Sequence, residues 1–137
     1  MCGFVGSASV HRVVDKEWLL NGSESLYHRG PDDSSQWISE NNRLGFSHRR
    51  LSIIDITENA RQPFMNTTQD AVIIFNGEIY NYKLIRSSLK SLGYKFKSNS
   101  DTEVLLNSYL CWGYECLQKI KGMYAFVIYD IRSNKIF

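Results

Sequence analysis

Met1-Cys2-Gly3-Phe4-Val5-Gly6 opens the chain, and the way this stretch is read decides the fold. The small cysteine side chain permits trimming of Met1, which would leave Cys2 with a thiol and a free α-amine on one residue. An unperturbed α-amine titrates at about 7.7–8.0, so at about pH 7 a useful fraction is neutral and can accept a proton, directly or through one water. The competing reading is an ordinary cysteine at the start of a buried strand. In both readings Gly3 to Ala8 is a short strand, its small residues allowing another backbone or a substrate to approach closely. The choice between nucleophile and core cysteine falls to the rest of the chain.

A chain of 137 residues allows one domain with a real core and leaves no room for a second large one. Hydrophobic residues make up 43% and charged residues 22%, with a formal charge of +2. This is globular composition, without a basic tract that would point to nucleic acid or a membrane surface. No stretch has the makings of a signal peptide or a membrane span, so the expected compartment is the cytoplasm. Cys2, Cys111 and Cys116 form an odd set without CxxC spacing. That pattern suggests neither a disulfide framework nor a metal site, and it leaves Cys111 and Cys116 as core residues.

Lys16 to Tyr27 carries Leu19, Leu20, Leu26 and Tyr27 at helical spacing, with Gly22 as a weak point inside it. His28-Arg29-Gly30-Pro31-Asp32-Asp33 stops that helix in a structured loop. Ser35 to Ser39 and Arg43 to His48, joined by Glu40-Asn41-Asn42, read as a hairpin. Arg49-Arg50-Leu51-Ser52-Ile53-Ile54-Asp55-Ile56 leads into a polar loop reaching Asp70, long enough to suggest function or mobility. Ala71 to Phe75 is a continuous apolar run, expected as a strand buried on both faces. Asn76-Gly77 after it is also a strong hairpin signal. A helix follows from Lys83 to Leu92, with Gly93 as its C′ residue. Tyr94 to Lys97 reads as a short strand. Ser100-Asp101-Thr102-Glu103 reads as a capping box opening a helix to Trp112. Gly122 to Asp130 is a buried strand, Asp130 to Lys135 a turn, and Ile136-Phe137 the start of another strand.

Met-Cys-Gly-Phe-Val-Gly, Tyr-His-Arg-Gly-Pro-Asp-Asp, His-Arg-Arg-Leu-Ser-Ile-Ile-Asp, Gln-Pro-Phe, Phe-Asn-Gly-Glu-Ile-Tyr-Asn-Tyr, Ser-Asp-Thr-Glu and Gly-Met-Tyr-Ala-Phe-Val-Ile-Tyr-Asp appear in the order and spacing of one family. Across its whole length the chain resembles the N-terminal glutaminase domain of class II glutamine amidotransferases, in the asparagine synthetase branch. The resemblance implies an α+β fold: an N-terminal-nucleophile αββα sandwich of two antiparallel sheets with helices outside, here truncated at its C-terminal end. Residues 1–137 are then one incomplete amidotransferase domain.

The same resemblance assigns roles. Cys2 is the nucleophile that attacks the glutamine side-chain amide. The Asn76 amide and the Gly77 backbone N–H stabilise the oxyanion. Arg50 receives the substrate carboxylate, Glu78 and Asp101 receive its α-ammonium, and the backbone near Leu51 and Ile53 forms part of the pocket wall. Arg49 is expected to be a solvated charge. His28 and His48 are expected to serve architecture rather than a cysteine–histidine dyad. Trp18, Trp37 and Trp112 are expected to be core or surface aromatics.

The implied reaction releases glutamate and ammonia without a cofactor or metal. Ammonia would pass to a synthetase domain that uses ATP and Mg, normally in the same chain. No match to that domain's Ser-Gly-Gly-x-Asp-Ser motif occurs here, so this chain alone is not expected to make asparagine. Nucleic acid and membrane are not expected partners, and a homodimer is left open. Two other readings remain: a catalytically idle fragment or assembly domain, and an N-terminal-nucleophile acylase acting on another amide.

Overall fold

The computed structural model describes residues 2–137; Met1, and with it the expectation that it is trimmed, lies outside the described residues. Two antiparallel sheets form the centre. The first has the order β1-β3-β2, with β1 at Gly3–Ala8, β2 at Asp33–Ile38 and β3 at Leu44–Arg50. The second has the order β4-β5-β6-β7, with β4 at Phe64–Met65, β5 at Ala71–Ile79, β6 at Gly122–Asp130 and β7 at Lys135–Ile136. Helix α1 (Lys16–Ser25) packs on β1 and β3, and α2 (Tyr82–Ser91) and α3 (Asp101–Trp112) pack outside the second sheet, with the short α4 at Cys116–Lys119. The layers are therefore α, β, β, α, the sandwich the resemblance implies.

Strand periodicity explains the two cores, because successive side chains point to opposite faces. On β5, Val72 and Ile74 meet Leu44, Phe46 and Tyr129 between the sheets, with Phe4, Trp37, Met65 and Val127 at the margin. Ala71, Ile73 and Phe75 of the same strand face the helices and join Ile85, Leu89, Val104 and Leu105. That double burial is why residues 71–75 read as a continuous apolar run. Burying a side chain of this size is worth about 1.5–3 kcal/mol, so the two clusters dominate stability.

Several local expectations change. Asn76-Gly77 is not a hairpin turn: β5 runs through it to Ile79, paired residue by residue with β6 from Ala71↔Asp130 to Ile79↔Gly122. Tyr94 to Lys97 forms no strand, because the Glu103 carboxylate takes the N–H groups of Lys97 (2.9 Å) and Ser98 (2.8 Å) that a ladder would need. The capping box is accordingly half formed. Ser100 accepts from the Glu103 N–H at 3.2 Å, but the Glu103 side chain reaches back past Ser100 to the preceding loop. Gly93 follows α2 at φ 91°, the left-handed conformation expected at C′. The long loop after Asp55 is ordered by a 3-10 turn at Glu58–Ala60 and by β4.

Arg49 is a further correction. It is only 7% exposed and points to α1, where it bonds the Ser23 carbonyl at 3.2 Å, pairs with the Glu24 carboxylate and lies 5.3 Å over the Tyr27 ring. β3 is the central strand of its sheet, so its outward face is covered by a helix rather than water. Cys116 is buried, as expected, and Cys111 packs at the margin of the helix-side core.

Candidate active site

Alternation along three strands brings the chemistry together. Phe4 of β1, Phe46 of β3 and Val72 and Ile74 of β5 all face the space between the sheets. Cys2, two residues before Phe4, and Arg50, four after Phe46, therefore share that face, as do Asn76 and Glu78 beyond Ile74. β1 and β3 pair with Gly3 opposite Arg49, which sets Cys2 beside the end of β3. All of these residues collect at one end of the sandwich.

There a cleft of about 150 Å³ is lined by Cys2, Arg50, Leu51, Ile53, Asn76, Gly77, Glu78 and Asp101, with Asp55, Gln62, Thr102 and Met123 among its other walls. Every residue singled out from the sequence for catalysis or substrate binding thus borders one cavity. His48 and His28 do not border it.

The Cys2 sulfur accepts from the Leu51 N–H at 3.3 Å and lies 3.6 Å from the Leu51 carbonyl oxygen. The Arg29 Nε–H donates to the Cys2 carbonyl at 3.0 Å. Backbone and sulfur are therefore each held by a hydrogen bond, while Cys2 still borders the cavity.

The edge of β5 supplies the donors. Even-numbered N–H groups of this strand face β6, as the neighbouring Tyr80 N–H to Lys121 bond of 2.8 Å shows. Odd-numbered groups face the other way, toward β4, but β4 pairs only with Val72 and Ile73. Past its end the groups are met singly. The Phe75 N–H bonds Gln62 Oε1 at 2.6 Å, the Phe75 carbonyl accepts from His48 Nε2 at 3.2 Å, and the Ile79 N–H bonds Asp101 Oδ2 at 3.0 Å. Gly77 lies between them in the same alternation and lines the cleft. Glycine is required there. A Cβ on Gly77 would stand 2.3 Å from the Met123 carbonyl oxygen, and one on Gly122 would stand 2.0 Å from the Glu78 carbonyl oxygen. The two strands run closer at this point than side chains allow.

Asn76 lines the same cleft, with Oδ1 buried and unpartnered among the described residues.

Asp101 is the first residue of α3 and is buried. Burial pushes its carboxyl above the ordinary carboxylate value and neighbouring Glu78 adds to this, against the opposing bonds from the backbone N–H groups of Ile79, Asp101 and Thr102. An anion so placed gains from a cation in the cleft. Glu78 is exposed and adds negative charge at the rim.

Arg50 is buried and lines the cleft, donating through one terminal nitrogen to the Thr57 carbonyl at 3.0 Å and through the other to the Asp55 carbonyl. A guanidinium has five N–H donors, so a carboxylate can still be received. Arg50 also ties down the 51–57 loop, a role its motif did not suggest. Asp55 extends this brace: Oδ1 accepts from the Thr57 N–H at 2.9 Å and Oδ2 from the Asn99 N–H at 2.7 Å, next to Ser100 and Asp101.

Arg29, Asp55 and Gln62 were missed as site residues although each stands in a quoted motif, because motif membership carried no partner. Among the described residues no group of three or more His, Cys, Asp or Glu could hold a metal ion.

The profile of the glutamine amidotransferase domain family matches residues 1–137. "Asparagine synthetase [glutamine-hydrolyzing] 1" of Bacillus subtilis is 42% identical over 141 residues, a match covering 100% of this chain and 22% of that protein. "Asparagine synthetase [glutamine-hydrolyzing] 3" of the same organism is 39% identical with the same coverage. A putative asparagine synthetase [glutamine-hydrolyzing] 2 of Methanocaldococcus jannaschii is 33% identical over 153 residues, covering 100% of this chain and 29% of that protein. The chain thus spans less than a third of the length of these relatives. Among solved structures, the glutamine phosphoribosylpyrophosphate amidotransferase of B. subtilis superposes with a TM-score of 0.75 at 20% identity, covering 93% of this chain and 35% of that one. At that identity the likeness concerns the fold.

Proposed function

The chain belongs to the glutamine amidotransferase domain family, and from that premise we propose that it hydrolyses the side-chain amide of glutamine at Cys2. The observation that carries the reading is the one cleft bordered by Cys2, Asn76, Gly77, the buried Arg50 and the buried Asp101. A free amino acid bearing an amide needs that set: a cation for its carboxylate, an anion for its ammonium, and a nucleophile with oxyanion donors at the far end.

In the proposed mechanism Met1 has been removed and the Cys2 α-amine takes the thiol proton. The sulfur attacks the amide carbon, and the developing oxyanion is received by Asn76 Nδ2–H and Gly77 N–H. As the tetrahedral species collapses, the C–N bond breaks and the ammonium proton of Cys2 goes to the leaving nitrogen, giving ammonia and a thioester. Water then adds to the thioester with the same amine as base, and the S–C bond breaks as the proton returns to sulfur, releasing glutamate. Arg50 holds the substrate carboxylate; Asp101 and Glu78 hold its ammonium. These steps draw on side-chain and backbone groups of this chain and require no cofactor.

The partner in this proposal is an ammonia-accepting domain of the ATP-dependent, amide-forming type, with Mg supplied to that domain together with ATP. The names of the curated relatives support the assignment. No described helix is long and apolar enough to cross a membrane, and we place the reaction in the cytoplasm.

The test is glutamate and ammonia release by the purified protein, with covalent labelling by a glutamine-like alkylating agent. Wild type is expected to turn over and to be labelled at Cys2, and Cys2→Ala to do neither while keeping its fold. Hydrolysis that survives in Cys2→Ala, or a folded wild type that is neither active nor labelled, overturns the proposal.

A further inference from the structure

Gln62 borders the cleft but contributes no group to the chemistry above. It is 6% exposed and joins three layers of the fold. Its Oε1 accepts from the Phe75 N–H at 2.6 Å, its Nε2 donates to Thr102 Oγ1 at 3.2 Å, and its backbone carbonyl accepts from the Ser35 hydroxyl. Phe75 immediately precedes Asn76 on β5, Thr102 immediately follows Asp101 on α3, and Ser35 belongs to β2 of the other sheet.

We propose that Gln62 is a positioning residue: its amide sets the strand carrying the oxyanion donors at a fixed place relative to the helix carrying the ammonium-binding carboxylate, a role that rests on the glutamine-hydrolysis reading. The chemistry of the side chain explains the choice. Phe75 offers a donor and needs an acceptor, while Thr102 offers a hydroxyl oxygen and is met by a donor. An amide carries both on adjacent atoms at this length. A carboxylate lacks the donor, and a thioether lacks the donor and is only a weak acceptor.

No strand can replace the first bond, because β4 pairs with β5 no further than Ile73. Without Gln62 the Phe75 N–H is a buried orphan, and relief comes from movement of the segment leading into Asn76 and Gly77. Displacement of a reacting geometry by about 1 Å can cost about 10²-fold in rate. The second bond acts at the other end of the substrate, where Thr102 anchors the first turn of α3 beside Asp101.

Three variants separate these legs: Gln62→Met removes both bonds at similar side-chain length, Thr102→Val removes only the helix leg, and Gln62→Glu keeps the acceptor for Phe75. For each, kcat and KM for glutamine are measured in the purified protein, with kcat expressed per site that reacts with the alkylating agent. Gln62→Met is expected to lower kcat per reactive site by about tenfold or more. Thr102→Val is expected to raise KM severalfold with kcat changed by less than about threefold. Gln62→Glu is expected to retain more of kcat than Gln62→Met.

Loss confined to the number of reactive sites or to the melting temperature, with kcat per site unchanged in Gln62→Met, marks a merely structural residue and overturns the proposal. If Gln62→Met does not fold, Thr102→Val decides, and an unaltered KM overturns it. A wild type without activity removes the functional reading and this role with it; an active wild type beside an unimpaired Gln62→Met removes this role alone.

Discussion

Acidification should destabilise this protein through His48 before most carboxylates titrate. The side chain is 1% exposed, lies on the inter-sheet face of β3, and has one polar partner among the described residues, the Phe75 carbonyl oxygen 3.2 Å from Nε2. A carbonyl only accepts, so Nε2 carries the proton and Nδ1 is bare. Burial, with Arg50 nearby, lowers the pKa from 6.5 to about 4, against the opposing influence of the Phe75 bond and Asp33. Above about pH 6.5 both folded and unfolded chains hold a neutral His48, and its contribution does not vary. Below that the unfolded chain takes up a proton that the folded chain refuses, so stability falls with pH. The fall is complete below about pH 4, where it amounts to about 3 kcal/mol.

At pH 5 the loss should already be about 2 kcal/mol, a shift of about 1 M in a urea midpoint for a protein of this size. The measurement is urea unfolding of wild type and His48→Gln at pH 7 and pH 5. Glutamine can donate to the Phe75 carbonyl but does not titrate, so contributions common to both proteins cancel in the difference. Wild type should lose about 2 kcal/mol more than the variant between the two pH values. Equal losses would mean that His48 is protonated in the folded state at pH 5, and the claim that burial holds it neutral between the sheets would be wrong.

Asn76→Ala should lower kcat by about 10²–10³ with a much smaller change in KM, because its amide bonds the oxyanion more strongly than the ground-state carbonyl; a dominant KM effect in steady-state assays would speak against the oxyanion role. Arg50→Ala should raise KM for glutamine strongly, whereas Arg49→Ala should lower the melting temperature and leave KM near wild type, since Arg49 bonds Ser23 and Glu24 of α1; reversed effects would show that the two arginines have been interchanged. Asp101→Asn should raise KM yet raise the melting temperature at neutral pH, because the ionised carboxyl, whose pKa is raised chiefly by burial, subtracts stability above its folded pKa and the amide carries no charge. Calorimetry showing a lower melting temperature would contradict that reading.

Legibility in the sequence followed the range of the interactions. Ala71–Phe75 announced itself because it is apolar on both faces, and α2 and α3 announced themselves by period and by Gly93 and Ser100. Asn76-Gly77 carried a local turn signal that was overruled by pairing with residues 122–125, a contact no local pattern encodes. Two adjacent arginines look alike on paper, but period two sends Arg49 to α1 and Arg50 to the cleft, and Arg49 is buried only because β3 is central. The candidate site residues were accessible through a family likeness, whereas their supports were not. Arg29, Gln62 and Asp55 find their partners 27, 40 and 44 residues away, so the sequence shows only polar residues in loops.

The shortness of β4 connects fold to chemistry. Two residues of β4 leave the odd-numbered edge of β5 unpaired from Phe75 onward, and open strand edges are usually a liability. Here the exposed groups are met one at a time, Phe75 by Gln62 and His48, Ile79 by Asp101. Gly77, between them, lines the cavity and carries the N–H proposed for the oxyanion. A β4 two residues longer at its N-terminal end would reach Phe75 and displace the Gln62 side chain. Two residues more would pair Gly77 and consume the donor proposed for the oxyanion. The cleft is therefore a place where a sheet is stopped early and its unpaired edge is finished by side chains, with Gly77 as the position proposed to meet substrate.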